Sequence, residues 1–208
     1  MPRISEERLE ARREQILDAA RACLLEHGLE AVSMEMIIAR SGLSTGAVYR
    51  YFKGKDEIIA AAVTGSVSEI GAAAVTVLTS MTTALPAELV EELLTAWVTY
   101  SRSGVGAAAG LDRMPAALHG WSYAQTDPKL KATMRAGLEG FRELCVPVIK
   151  RWQTEGVIAA GVEPDAVAQL ILSISLGFVV QRSLTGDAGV QAHADAVAAL
   201  TTPRLLSD

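Results

Sequence analysis

Residues 33–58 read SMEMIIARSGLSTGAVYRYFKGKDEI. Ser33 can cap a helix, with Glu35 in the first turn, where the helix dipole favours an acid. Met34, Ile37 and Ile38 give that helix an apolar face. Gly42 follows Arg40 and Ser41 and suits the left-handed conformation that ends a helix. Leu43 then plugs the turn, Ser44 can cap a second helix, and Gly54 can end it. Two short helices joined by about 3–4 residues containing glycine form the helix-turn-helix pattern. The second helix, Thr45 to about Tyr51, places small Gly46 and Ala47 beside an inward Val48, then Tyr49, Arg50 and Tyr51 in a row. So short a helix has little core to justify two exposed rings and an arginine. It suits insertion into a DNA major groove, where small residues permit close approach and longer polar ones reach phosphates and base edges. Helix–Gly–helix units also occur in all-α proteins with no role on DNA, and spacing alone does not separate the two.

Composition agrees with an all-α chain. The 208 residues are 50% hydrophobic and only 5% aromatic, with abundant alanine and little β-branched alternation. Formal net charge is −5. Residues 1–60 hold nine Lys/Arg and ten Asp/Glu, a balance of −1, and the rest carries −4. Any attraction for phosphates must therefore come from local placement: Arg40, Arg50, Lys53 and Lys55 lie within sixteen positions, and Arg3, Arg8, Arg12 and Arg13 precede or open the first helix. Cys23 and Cys145 are far apart and read as small buried hydrophobes, in keeping with a reducing cytoplasm. The charged start MPRISEERLEARREQ has no apolar core of a signal peptide. The longest apolar run, Leu170–Val180, contains Ser173 and Ser175 and is shorter than the ~20 residues of a membrane span.

The expected organisation is about nine helices. Helix 1 runs from Ser5 to about His27 and ends at Gly28, with an apolar stripe of Leu9, Ile16, Ala20, Cys23 and Leu24. It should pack on the two short helices as a three-helix DNA-binding domain, residues 1–54. Residues 55–208 should form a larger helical bundle. Its first helix, Lys55 to about Thr79, links the two, with Gly65 and Gly71 as weak spots. Pro86 opens a helix to about Arg102. Ser103–Gly110 reads as a loop, and Leu111–Leu118, containing Pro115, as a short or kinked helix. Asp127-Pro128 starts a long helix to Glu155, bent at Pro147. That bend should open space beside Phe141 and Cys145. Pro164 opens a helix to about Leu184, and a last helix runs to about Leu200.

Residues 12–58 resemble the N-terminal domain of the TetR family of bacterial transcription regulators. The run GLSTGAVYRYFKGKDEI is close to the family pattern G-V-S-x-G-x-L-Y-x-Y-F-x-x-K-x-x-L across its full length. Ile16, Ala19, Ala20, Gly28 and Ser33 also match. The resemblance covers about the first quarter of the chain. It departs at Thr45 and Ala47, where family members often carry Lys and Thr, so the operator sequence is not predictable from the family.

The resemblance implies a ligand-responsive, cytoplasmic regulator, most often a repressor, that pairs as a homodimer on a near-palindromic double-stranded operator. By position in the motif, Tyr49 and Lys55 would contact phosphates, with Ser33 and Ser44 as further donors. Thr45, Gly46, Ala47 and Arg50 would face base edges. An unknown small-molecule effector would bind in the C-terminal bundle. Trp97, Tyr100, His119, Trp121, Phe141, Cys145 and Phe178 are the candidate lining, with Gln125 and Arg142 as further polar contacts. Each aromatic can equally be plain core. The family pairs through its last two helices, which points to Leu170, Ile174, Gly177, Gln181, Ala194 and Ala198 as interface, with Ala188 and Gly189 among the small residues that allow close approach.

An enzyme is the second class. No nucleophile–base spacing, metal-ligand cluster, phosphate loop or cofactor motif is present, and His27, His119 and His193 are widely separated. A helical scaffold without specific DNA binding is the third.

Overall fold

The computed structural model describes residues 6–81, 83–104, 113–186 and 189–201. Ser5, most of the expected 103–110 loop and Ala188 lie outside them. The described residues form nine helices and no strands: α1 Glu6–Ala31, α2 Met34–Ser41, α3 Thr45–Tyr49, α4 Lys55–Ser80, α5 Pro86–Ser101, α6 Met114–Ala124, α7 Pro128–Thr154, α8 Pro164–Thr185 and α9 Val190–Thr201. The all-α expectation holds.

The chain groups into two compact units that interleave along the sequence. The first is Met1–Val67 with Arg102–Leu130; the second is Ser68–Ser101 with Lys131–Asp208. This grouping differs from a division at residue 54. The first turns of α4 supply Ile58, Ile59 and Ala62 to the same buried cluster as Ile16, Leu17, Ala20 and Cys23 of α1, Ile37 of α2 and Val48 of α3. Fully burying each of the larger side chains contributes about 1.5–3 kcal/mol. α6 also packs on α1, and its Tyr123 rests on this cluster. Burial first, then Asp127 and Asp56, raises the Tyr123 phenol above its ordinary range.

In α1, Ile16, Ala20, Cys23 and Leu24 are buried as expected, but Leu9 is exposed. Gly28 breaks the helix at φ 74, ψ 169, a conformation open chiefly to glycine. Pro115 lies in the first turn of α6. Its missing N–H costs nothing there, so it opens the helix instead of kinking one, and α6 starts and ends later than expected.

In the second unit, Leu78, Leu89, Leu93, Cys145, Val148, Ile149, Trp152, Ala168 and Ile171 form the core. The Trp152 indole donates to the Ala84 carbonyl at 2.7 Å, and Arg151 donates to the same oxygen. α5 packs on α8 and α9. α7 runs uninterrupted through Pro147. Pro147 is exposed, whereas Cys145 and Ile149 are fully buried and Phe141 packs on their cluster. The proline ring thus faces solvent, and the side of the helix that carries Cys145 and Ile149 seats core.

By length and composition alone, α4 and α8 could each cross a membrane. Alanine, glycine, serine and threonine extend their apolar runs beyond what Leu170–Val180 suggests. Both helices nevertheless contribute buried residues to the packed cores.

Candidate nucleic-acid interface

The two short helices form as their caps dictate. The Ser33 hydroxyl accepts from the Met36 N–H at 3.3 Å, and α2 ends on Gly42 at φ 66. The Ser44 hydroxyl accepts from the Ala47 N–H at 3.3 Å. α3 closes two residues earlier than expected, at Tyr49, but its turns continue: Tyr51 and Phe52 N–H groups both donate to the Val48 carbonyl, at 3.0 and 3.1 Å.

Two residues hold the turn that sequence reading passed over. The buried Ser41 hydroxyl donates to Ile38 O at 2.8 Å and accepts from the Leu43 N–H at 3.3 Å. Gln15 of α1 donates to the Ser41 carbonyl at 2.7 Å. A serine before a glycine gives little hint of burial, and a glutamine on a charged helix gives none. Arg13 further sits over the Phe52 ring, 5.5 Å from its centre, a cation–π arrangement.

On this frame, Val48 and Phe52 point into the core, while Ser44, Thr45, Gly46, Tyr49 and Arg50 face solvent. Tyr49 is 51% exposed. Tyr51 does not join it; half-buried, it packs on the core cluster, so one ring is displayed where two were expected. Ala47 is half-buried beside them. A side chain at Gly46 would meet nothing within 4 Å, so this glycine leaves room on the open face.

The expected cations are differently disposed. Arg40 is paired with both carboxylate oxygens of Glu26 on α1. Lys55 is half-buried and donates from Nζ to the Val32 carbonyl at 3.1 Å. That bond helps to fasten the start of α4. Arg50 and Lys53 are exposed. Glu57 caps α4 by accepting from the Lys53 N–H at 2.6 Å.

The candidate effector residues are divided between the two units. Trp97 and Tyr100 of α5, with Leu93 and Ala96, face Ile70, Ala73 and Ala74 of α4 across a shallow, open groove with room for about one water. Phe141 and Cys145 belong to the second unit's core. Phe178 is fully buried, with His193 edge-on to it at 5.5 Å. His119 and Trp121 are half-buried on α6, in the first unit. Gln125 is exposed just past the end of α6. Arg142 forks onto Asp165 at 2.9 Å for each bond, which ties α7 to α8.

The two sides of α8 separate cleanly. Ala168, Ile171, Ser175, Phe178 and Val179 face inward. Leu170, Ile174, Gly177, Gln181 and Leu184 follow one another at spacings of four and three along the other side. Leu170 is 60% exposed and Leu184 is 75% exposed. On α9, Ala198 is exposed and Leu200 is 86% exposed, but Ala194 is buried at 3%. Ala194 is thus a core residue of its own protomer, unsuited to the interface expected of it. Leu184 and Leu200 went unremarked as surface residues because leucine at a helix end reads as core.

Two family descriptions match this chain: "Bacterial regulatory proteins, tetR family" over residues 16–62, and "BetI-type transcriptional repressor, C-terminal" over residues 107–206. The chain belongs to the TetR family of bacterial regulatory proteins. Among its relatives is the HTH-type transcriptional repressor Rv1474c of Mycobacterium tuberculosis (strain ATCC 25618 / H37Rv). It is 41% identical over 58 residues, which is 28% of this chain and 31% of that protein. The match thus spans about a third of that relative. The HTH-type transcriptional regulator BetI of Serratia proteamaculans (strain 568) is 25% identical over 187 residues, 89% of this chain and 88% of that one. A TetR transcription regulator from Haloarcula marismortui ATCC 43049 has the same fold, with a TM-score of 0.70, 21% identity, and coverage of 92% of this chain and 97% of that one. Within the family pattern, the matched residues 16–62 include all of α2 and α3 and the first two turns of α4, the same turns that complete the first unit's core.

Proposed function

We propose that this protein is a non-enzymatic, DNA-binding transcriptional regulator, a repressor that leaves a palindromic operator when a small-molecule effector binds its C-terminal bundle. The observation that carries this reading is α3. It is a single rigid turn-and-a-half whose inner residues are locked in core and whose outer residues, Ser44, Thr45, Gly46, Tyr49 and Arg50, stand in solvent. A duplex major groove accepts a helix of this kind, with Tyr49 and the Ser33 and Ser44 hydroxyls on phosphates and Arg50 on guanine. The family membership supports it.

The protein acts as a homodimer in this reading, placing two α3 helices about 34–36 Å apart in successive major grooves. The stripe Leu170, Ile174, Gly177, Gln181 and Leu184 on α8, with Ala198 and Leu200 on α9, is the pairing face. The Trp97–Tyr100 groove is one candidate start of an effector site. No cofactor is required. The apolar outer face of α8 is assigned to a partner protomer, not to a membrane, and the regulator works in the cytoplasm.

Selection from random duplexes tests the reading. An enriched palindrome, bound with a steep fall of affinity as salt rises, supports it. Absence of any enriched duplex would favour a helical scaffold without specific DNA binding, a second reading to which Thr45, Ala47 and the pairing of Arg40 with Glu26 give some support.

A further inference from the structure

Arg21 is an arginine at 8% exposure in the middle of an otherwise apolar stretch of α1. Its guanidinium is held by groups on α1 and α4. Nη1 donates to Glu14 at 2.5 Å and to Asp18 at 2.7 Å, and Nε reaches the Ala62 carbonyl of α4 at 3.5 Å. Glu14 and Asp18 lie seven and three residues before Arg21, on the same side of α1. Nη2 lies over Gly65 of α4, and a Cβ built at Gly65 would come within 2.5 Å of it.

Glycine inside a helix is unfavourable compared with alanine. α4 has two, Gly65 and Gly71, and a Cβ at Gly71 would meet nothing. Only Gly65 is demanded by its neighbour. An arginine tip could ordinarily swing away from an added methyl, but this one is tethered to two carboxylates and a carbonyl and would have to give up bonds to move.

We infer that the Arg21–Gly65 seat is a register device: it fixes how far α4 slides along α1, and through that the pose of α3. Val48 and Phe52, which anchor α3, share one cluster with Ile16 and Ala20 of α1 and with Ile58, Ile59 and Ala62 of α4. A slide of α4 on α1 therefore shifts the floor under α3. Gly65 lies two residues before the point where α4 passes from the first unit to the second, so the seat is placed to resist or transmit motion along that helix. Arg21 acts here as a positioning residue that never touches DNA. The inference rests on the DNA-binding reading above.

The test compares the wild-type protein with Gly65→Ala, Arg21→Met, the double variant and Gly71→Ala, using the duplex enriched by the wild type and the amide hydrogen exchange of α4. Gly65→Ala should lose roughly tenfold in duplex affinity, a usual size for coupling between linked elements, and its α4 amides near 62–66 should exchange faster. Gly71→Ala should change neither. Adding Arg21→Met should remove most of the Gly65→Ala effect, because the methyl then meets no guanidinium; that non-additivity separates a shared contact from two independent losses. If Arg21→Met does not fold, Arg21→Lys, which keeps a cation near the two acids but is shorter, takes its place. Equal affinity and exchange for Gly65→Ala and Gly71→Ala would overturn this inference alone. A wild-type protein that enriches no duplex would overturn the DNA-binding reading and this inference with it.

Discussion

Arg40 of α2 grips both carboxylate oxygens of Glu26 of α1. One of the four cations clustered in residues 40–55 is thus neutralised within the protein. Arg40→Ala should leave the slope of log affinity against log salt unchanged. Glu26→Gln should free the guanidinium and, where a phosphate lies in reach, steepen that slope by about one unit. The hydrogen bond from Arg40 is the main reason the Glu26 carboxyl titrates below the ordinary glutamate range. A lowered carboxylate pKa stabilises the fold above the unfolded value, and that contribution fades as pH falls through the folded one. Carbon-detected NMR titration should place Glu26 low in the wild type and return it to the ordinary range in Arg40→Ala.

The caps give a stability prediction. Ser33→Ala and Ser44→Ala should each cost about 1 kcal/mol in urea unfolding. Gly42→Ala forces a side chain to φ 66 and should cost about 1–2 kcal/mol. A Ser44→Ala protein of unchanged stability would show that the hydroxyl is not serving as a cap.

Arg50 and Lys55 should fail in different ways. Arg50→Ala should relax preference at one base pair, by about 1–3 kcal/mol of discrimination; equal weakening on all duplexes would reassign Arg50 to phosphate. Lys55→Met leaves the Val32 carbonyl without its donor and should cost about 1 kcal/mol of stability, visible in unfolding even without DNA.

Pairing can be tested on the α8 stripe. Leu170→Glu with Leu184→Glu should give a monomer in sedimentation velocity at micromolar concentration, with helical content retained, since both side chains are largely exposed within the protomer. A dimer that survives both changes would move the interface elsewhere.

Cys145 is fully buried, and burial pushes its thiol up to about 12. Its thiolate should therefore be absent at pH 8, and a thiol reagent should label it only on unfolding. The raised pKa means that its contribution to stability is complete below the unfolded value of about 9.0 and is lost as pH rises towards about 12. Labelling of Cys145 in the folded protein at the rate of a free thiol would contradict its burial.

The helix-turn-helix was legible because its signals are local. Ser33, Gly42 and Ser44 act on backbone groups three or four residues away, and the apolar spacing of α2 needs no distant partner. Long-range features were not. Nothing near Ser41 announces that Gln15, 26 residues earlier, will fasten its carbonyl. Tyr51 and Tyr49 look alike in sequence, and only the packing of α1 and α4 decides that one is half-buried. Pro115 and Pro147 have the same chemistry, but one lies in a first turn and the other on a solvent face. Aromatic residues are ambiguous for the same reason: they mark bulk, and bulk such as Phe178 fills core as readily as it lines a cavity. The 54/55 boundary was drawn at a glycine, whereas the core of the first unit continues into α4.

That last feature bears on how members of such a family can be recombined. A fragment stopping at Gly54 would lack Ile58, Ile59 and Ala62 and leave Ile16 and Val48 facing water. A chimera that grafts this DNA-reading head onto a foreign sensor must carry the opening turns of α4 and a matching α6, two pieces that are separated in the gene yet cut from the same cloth.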